Sequence, residues 1–226
     1  MRSIGYNDTM KTIVFAEHLT FPESVHDLDS FRHWVTSDEF PEKARVSYLD
    51  GNFWVDLSME RAGHNLCKKA MTNTLASLIE SEDGGVDFSD GMLLSHLEAG
   101  LSTQPEVMFL ASATLDSGAV TILRGDDSIE VIGSPDMTLD VISPTSVEKD
   151  TVHLRRLYYE AGVKEYWLVD SREISFSFDI LRRGSSKFLA TRKHQGWIKS
   201  QVFGREFKLS RETTKHGVSK FTLEVR

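Results

Sequence analysis

The chain has almost no cysteine, no long apolar run and no excess of positive charge. One cysteine among 226 residues excludes an intramolecular disulfide framework and a cysteine-built zinc site. That residue, Cys67, sits in His64-Asn65-Leu66-Cys67-Lys68-Lys69, without the surroundings of a cysteine-protease nucleophile, and reads as a free, partly buried thiol. No segment approaches the roughly 18 apolar residues that span a bilayer. No apolar run of signal-peptide length follows the N-terminal Met-Arg-Ser, so the expected compartment is the cytoplasm and no membrane partner is expected. Repeats and low-complexity segments are also lacking. The formal charge of −8 argues at first against nucleic acid, but it is unevenly spread. Residues 1–148 hold 9 basic and 25 acidic side chains, whereas residues 149–226 hold 17 and 9. A split of that kind is a reason to look for a polyanionic partner.

What is present is an ordinary globular composition, 40% apolar and 27% charged, in a chain long enough to bury a real core. Residues 1–26 read as a lead-in arm. Leu28, Phe31, Trp34 and Val35 then repeat at helical spacing behind Asp27 and Asp29, either of which can cap. Two β-rich runs flank Asp50-Gly51, a strong hairpin signal. Leu66, Ala70, Met71, Leu75, Leu78 and Ile79 predict a long helix from Glu60, capped by Ser58 and closed at Gly84-Gly85. Residues 86–134 read as short strands between turns. Met137–Ser143 reads as a strand buried on both faces. A helix follows over 147–161, then a second central strand over 165–170, which implies a right-handed parallel crossover. From Ile174 onward the chain reads as β. The fold class is α+β: a mixed central sheet flanked by helices. The expected division is an N-terminal arm and helix (1–44), a core (45–182) and a basic C-terminal β extension (183–226) packed on the core.

Asp140 is the residue that calls for chemistry. A carboxylate inside an apolar strand is costly to bury unless it is paired or bound to a cation. Glu106 opens another apolar run, Val107-Met108-Phe109-Leu110. Two acids at the ends of neighbouring strands could share a divalent ion, and oxygen ligands of that kind suit Mg²⁺ or Mn²⁺. Lys149, Arg155 and Arg156 lie on or just before the next helix, where they could stabilise developing charge. On pattern alone, solvated acids near strand ends are the commoner explanation.

The segment Pro135–Ser146, with Lys149-Asp150, Leu157-Tyr158, Ala161-Gly162-Val163 and Glu165–Asp170, resembles the Uma-type restriction endonucleases of the PD-(D/E)XK nuclease superfamily. The resemblance extends through Asp50-Gly51, His64 and Pro105-Glu106, about residues 45–182, and the stretches 180–183 and 196–204 resemble a long-form branch. It implies a restriction-endonuclease-like core and Mg²⁺-dependent hydrolysis of phosphodiester bonds, with DNA as substrate. On that template Glu106 stands where the family shows Asp, and Asp140 where it shows Glu. Ile142 occupies the superfamily lysine position. The helical position that supplies the lysine in this family matches Leu154, which leaves Lys149 as the substitute, with Arg155 behind it. His64 faces the site from the first long helix and could ligate a metal or orient water; a helix-start histidine with a local hydrogen bond explains it equally well. Glu60 reads as a first-turn acid favoured by the helix dipole.

The catalytic set expected is therefore Glu106, Asp140, Lys149 and His64, with Glu106 and Asp140 holding the metal. Arg155, Arg156, Lys193 and Lys199 are the expected nucleic-acid contacts, with aromatic residues interleaved among the tail's bases. Those aromatics read first as packing of a β-hairpin on the main sheet. The alternative is a catalytically impaired nuclease fold that binds nucleic acid or protein. A third reading is a homodimer joined through the tail as an edge strand.

Overall fold

The computed structural model describes residues 21–41, 44–56 and 59–226. The expected N-terminal arm up to residue 20 and the expected Ser58 cap lie outside the described residues. The fold is mixed α+β, as the sequence implies, with three sheets among the described residues.

The first element is helix α1, Leu28–Val35. Asp27 caps it, accepting from Ser30 N while Ser30 returns a bond to the Asp27 backbone, a reciprocal capping box. Its apolar stripe packs Phe31 and Trp34 onto Tyr48 and Phe53. Those two residues belong to the hairpin of β1, Val46–Leu49, and β2, Asn52–Val55. Asp50 and Gly51 join the strands with φ of 49° and 82°. Two consecutive positive φ angles make the primed turn whose twist matches a hairpin, which is why Asp-Gly is read so easily there.

The hairpin edges a six-stranded sheet with β4, Leu93–His96, β5, Leu101–Thr103, β7, Val120–Ile122, and β8, Glu130–Gly133, in the order β2-β1-β5-β4-β8-β7. The central sheet runs β12-β11-β10-β9-β6-β3. Its members are β3, Gly85–Ser89, β6, Val107–Ala111, β9, Met137–Ile142, β10, Glu165–Asp170, β11, Ser177–Arg183, and β12, Phe188–Ala190. The strands β9 and β10 are parallel, the crossover expected from the strand–helix–strand pattern. All six residues of β9 are buried, as a strand covered on both faces should be.

Alternation divides the central sheet into two faces. Leu139, Val141, Trp167 and Val169 join the long helix α2, Ala62–Glu82, in one core. Met108, Leu110, Tyr158 and Tyr166 belong to another, against the first sheet and the helix after β9. That helix differs from the expected regular one. Lys149–Leu154 is a π-helical turn, continuous with α4, Arg155–Glu160. A second difference lies in the stretch read as all β, where Ser112–Ser117 forms a short helix, α3. Asp136 accepts from Ala111 N and Thr114 Oγ1 at its start, and so acts as a remote cap.

The C-terminal sheet contains β13, Lys193–His194, β14, Trp197–Lys199, β15, Glu206–Thr213, and β16, Ser219–Val225. Phe207, Leu209, Phe221 and Leu223 pack into the same core as Cys67 and Met71 of α2. Buried Glu165 fastens this sheet to the central one. It accepts from Trp167 Nε1 at 3.0 Å, Ser200 Oγ at 2.7 Å and Gln201 N at 2.6 Å. The tail aromatics Phe188, Phe207 and Phe221 are buried packing. Cys67 is buried, and burial pushes its thiol up to about 12, so it is an inert core residue.

Candidate active site

The parallel pair β9 and β10 ends beside a cleft of about 1270 Å³. The side chain of Asp140 projects onto the Tyr158–Tyr166 face, because Thr138, two residues earlier, pairs with Met108 and Tyr166 of that core. In the antiparallel pairing of β6 and β9, Val107 lies opposite Leu139. Glu106 immediately precedes Val107, and its charge acts on Asp140. Both acids line the cleft with His64 and Lys149.

The helix α2 brings His64 in from the other side. Its Nε2 donates to Val141 O at 2.7 Å. A carbonyl only accepts, so this bond fixes a proton on Nε2, and in the neutral tautomer Nδ1 is then the nitrogen with the lone pair. Nδ1 is buried without a hydrogen-bond partner and lies 3.7 Å from Glu60 Oε1. Glu60 precedes the helix, which starts at Ala62 with Arg61 at its N-cap. It is therefore not the first-turn residue expected from the sequence. It belongs to the cleft.

Lys68, one turn beyond His64, went unnoticed in the sequence. It forms an ion pair with Glu60 and lies 3.2 Å from both Asp90 Oδ2 and Glu106 Oε2. Burial pulls its ammonium down, but Glu60, Glu106 and Asp90 together raise it above its ordinary value. Lys68 is thus a fixed cation among three acids.

Asp150 is the second residue that the sequence concealed. The π-helical turn directs it inward, where it is 3% exposed and accepts from Ser146 Oγ at 2.5 Å. Burial and the nearby Asp140 charge push its carboxyl up to about 8, against the opposing pull of Lys149. Burial raises Asp140 to about 6, with Lys149 again pulling down and Glu106 adding to the rise. Glu60, Glu106, Asp140 and Asp150 thus line the cleft together with Lys149, and Lys68 pairs with the first two from behind the lining.

The floor also carries orphaned atoms. Asp140 Oδ2, Glu106 Oε2 and His64 Nδ1 are all buried and make no hydrogen bond among the described residues. Glu106 Oε2 is faced by the Lys68 ammonium at 3.2 Å, but the Asp140 oxygen and the His64 nitrogen left bare in this way are a costly arrangement for a site that holds nothing. Carboxylate oxygens suit Mg²⁺ or Mn²⁺, and an imidazole nitrogen suits transition metals. Among the described residues the group whose ligand atoms lie within 4.8 Å of one another is Glu60, His64 and Glu106, and Asp140 is not part of it.

The four expected nucleic-acid contacts lie elsewhere and none lines this cleft. Arg155 donates to Phe188 O at 3.2 Å, and Arg156 pairs with Asp50 and Glu160. Lys193 pairs with Asp179 at 3.0 Å, and Lys199 donates to Gly204 O at 2.9 Å. The bases that do line the cleft, besides Lys149, are Arg45, Arg61, Arg172 and Arg211. Arg211 reaches it from β15, beside the β15–β16 turn residues Gly217–Ser219, and donates to Ser219 Oγ at 2.9 Å. Sequence spacing carries no signal for that approach, since it depends on how the C-terminal sheet sits on α2.

No helix among the described residues is long and apolar enough to cross a membrane. Among curated proteins, none matches the chain. The crystal structure of "a putative nuclease belonging to DUF820" from Anabaena variabilis ATCC 29413 superposes with a TM-score of 0.57 at 16% identity. The superposition covers 78% of this chain and 89% of that one, and at such identity it establishes a shared fold. The family described as Uma2, "Putative restriction endonuclease", matches residues 28–212. That match covers most of the sequence and both acid-bearing strands, so the chain belongs to the Uma2 family.

Proposed function

We propose that the protein is a divalent-metal-dependent nuclease that hydrolyses phosphodiester bonds of DNA. The observation that carries this reading is the buried Asp140 carboxylate with an unpartnered oxygen in the same arginine-fringed cleft as the clustered ligand atoms of Glu60, His64 and Glu106. In this reading residues 45–182 form the catalytic body, and residues 183–226 supply one wall of the cleft. Glu106 and Asp140 hold the ion, with Mg²⁺ or Mn²⁺ as the cofactor. His64 offers Nδ1 to the ion or to water, its orientation fixed by the bond from Nε2 to Val141 O. An ion bound there polarises a phosphoryl oxygen and acidifies water at neutral pH. Lys149, which acts on the charges of both Asp140 and Asp150, stabilises the charge added at phosphorus. Lys68 holds Glu60 in its ionised form and aims Glu106.

The test is cleavage of DNA by the full chain in Mg²⁺ and Mn²⁺. Asp140→Asn should abolish metal-dependent cleavage. A wild-type chain that cuts no DNA in either metal refutes the reading. One observation favours a second role, as a non-catalytic binding protein: buried Ile142 and Leu154 occupy the two positions where the resemblance calls for lysine. Titration of Mn²⁺ against thermal stability separates the two, because an ion that binds only the folded state must raise the melting temperature. A melting temperature unmoved by millimolar Mn²⁺ supports the binding role.

A further inference from the structure

The cleft has an apolar rim that phosphate chemistry does not require. Met59 is 90% exposed and Ile174 99% exposed, and both line the cleft, as does the partly exposed Val218 of the β15–β16 turn. Trp54 lines it too, with its indole tilted against the ring of His153 at 4.9 Å between centroids. Scattered exposed apolar residues need no explanation, but four around one arginine-fringed cleft do.

Two kinds of contact are therefore available in one cleft. Arg61 and Arg211 offer charge to a phosphate backbone, while Arg172 is held by Asp170 at 2.7 Å. Trp54, Met59 and Ile174 offer apolar surface. Intact duplex DNA presents phosphates and groove edges and keeps the faces of its bases stacked inside. Apolar side chains gain from a base face only when that base is unpaired or unstacked. Aromatic and apolar groups beside a basic track are how proteins hold single strands.

We infer that the cleft accepts DNA whose nucleotides are unpaired at the point of cleavage, with Trp54, Met59 and Ile174 packing against base faces. This rests on the nuclease reading and narrows its substrate. The arginines follow the backbone, and the apolar rim selects strands that have come apart.

The test is equilibrium binding of the full chain to a fluorescein-labelled single strand of about 20 nucleotides and to the blunt duplex of the same sequence. Both are measured in Ca²⁺ at one fixed salt concentration, since affinity for nucleic acid depends on salt. Cleavage of each in Mn²⁺ is followed in parallel. The single strand should bind about tenfold or more tightly than the duplex and be cut faster. Met59→Ser with Ile174→Ser should weaken single-strand binding several-fold. Both side chains are exposed, so the melting temperature should hold, which separates this loss from misfolding. Trp54→Ala should weaken single-strand binding by about tenfold, the scale of one lost base stack. Duplex bound as tightly as single strand, or a double variant with wild-type single-strand affinity, overturns the inference. If the duplex alone is cut, the inference falls and the nuclease reading stands. If neither DNA is bound or cut, both fall.

Discussion

Replacing Lys68 with methionine removes the fixed cation and keeps the side-chain stem. Its ammonium lies 3.2 Å from Glu106 and from Asp90 and forms a third ion pair with Glu60. At that distance one pair is worth about 5 kcal/mol of bare Coulomb energy at an effective dielectric of ~20. Desolvation offsets much of this, and measured costs of breaking a buried pair run about 3–5 kcal/mol. Asp90 is 48% exposed, so water screens its share. Glu106, at 12% exposure, is the partner left stranded. The expected loss is therefore near the lower end, about 3 kcal/mol at pH 8. For a chain of this size each kcal/mol moves the melting temperature by about 2–4 °C, which gives a fall of roughly 6–12 °C in metal-free buffer. Mn²⁺ should stabilise Lys68→Met by more than it stabilises wild type, because the ion meets carboxylates that have lost their partner. Glu60→Gln combined with Lys68→Met should cost less than the two single changes added together. A loss below about 1 kcal/mol at pH 8 would refute this account of the acid cluster.

Two further outcomes follow from buried groups. The carboxyls of Asp140 and Asp150 are raised to about 6 and about 8 from an ordinary value of 3.8. The folded chain therefore holds protons that the unfolded chain has released, so metal-free stability should fall as pH rises from about 4 through 8, and equilibrium denaturation across that range should record the slope. Glu165→Ala leaves Trp167 Nε1, Ser200 Oγ and Gln201 N without their acceptor. At about 1–3 kcal/mol for each buried unpaired group, and with Gln201 exposed to water, it should destabilise by at least about 2 kcal/mol and speed amide exchange in β14 and β15, read by hydrogen-exchange mass spectrometry; unchanged protection there would show that the C-terminal sheet does not depend on this fastening.

Much of the architecture is legible because it depends on local signals. Asp50-Gly51 announces its turn by the φ angles it must adopt, and Asp27 announces a cap three residues ahead of Ser30. The strand β9 is legible from its apolar run, and Asp140 from being the one charge within it. Glu106 is legible as an acid at the start of another apolar run, though no pattern gives the register that brings both acids to one cleft. What stayed hidden depends on long-range geometry. Lys68 looks like any helix lysine until Glu60, Asp90 and Glu106 arrive from three separate segments. Asp150 looks like a solvated first-turn acid because helical periodicity assumes 3.6 residues per turn, which the π-helical turn breaks. The basic residues most visible in the sequence, Arg156 and Lys193, are occupied by Asp50 and Asp179, while Arg211 joins the cleft through sheet packing alone.

The π-helical turn Lys149–Leu154 also bears on how this site could be gained or lost. A wider turn of this kind accommodates one residue more than a regular helix would, a form often found at functional positions. Deleting a single residue within it would let the segment relax into an unbroken α-helix at little energetic cost. Each α-helical residue turns the chain by about 100°, so Lys149 and Asp150 would swing away from Asp140 together while Leu157 and Tyr158 stayed in the core. The fold would survive and the cleft would lose two of its charged groups in one event. An insertion at the same place in a regular helix would run that change in reverse, which makes this one turn a switch by which a lineage can acquire or discard the charged floor without rebuilding the protein around it.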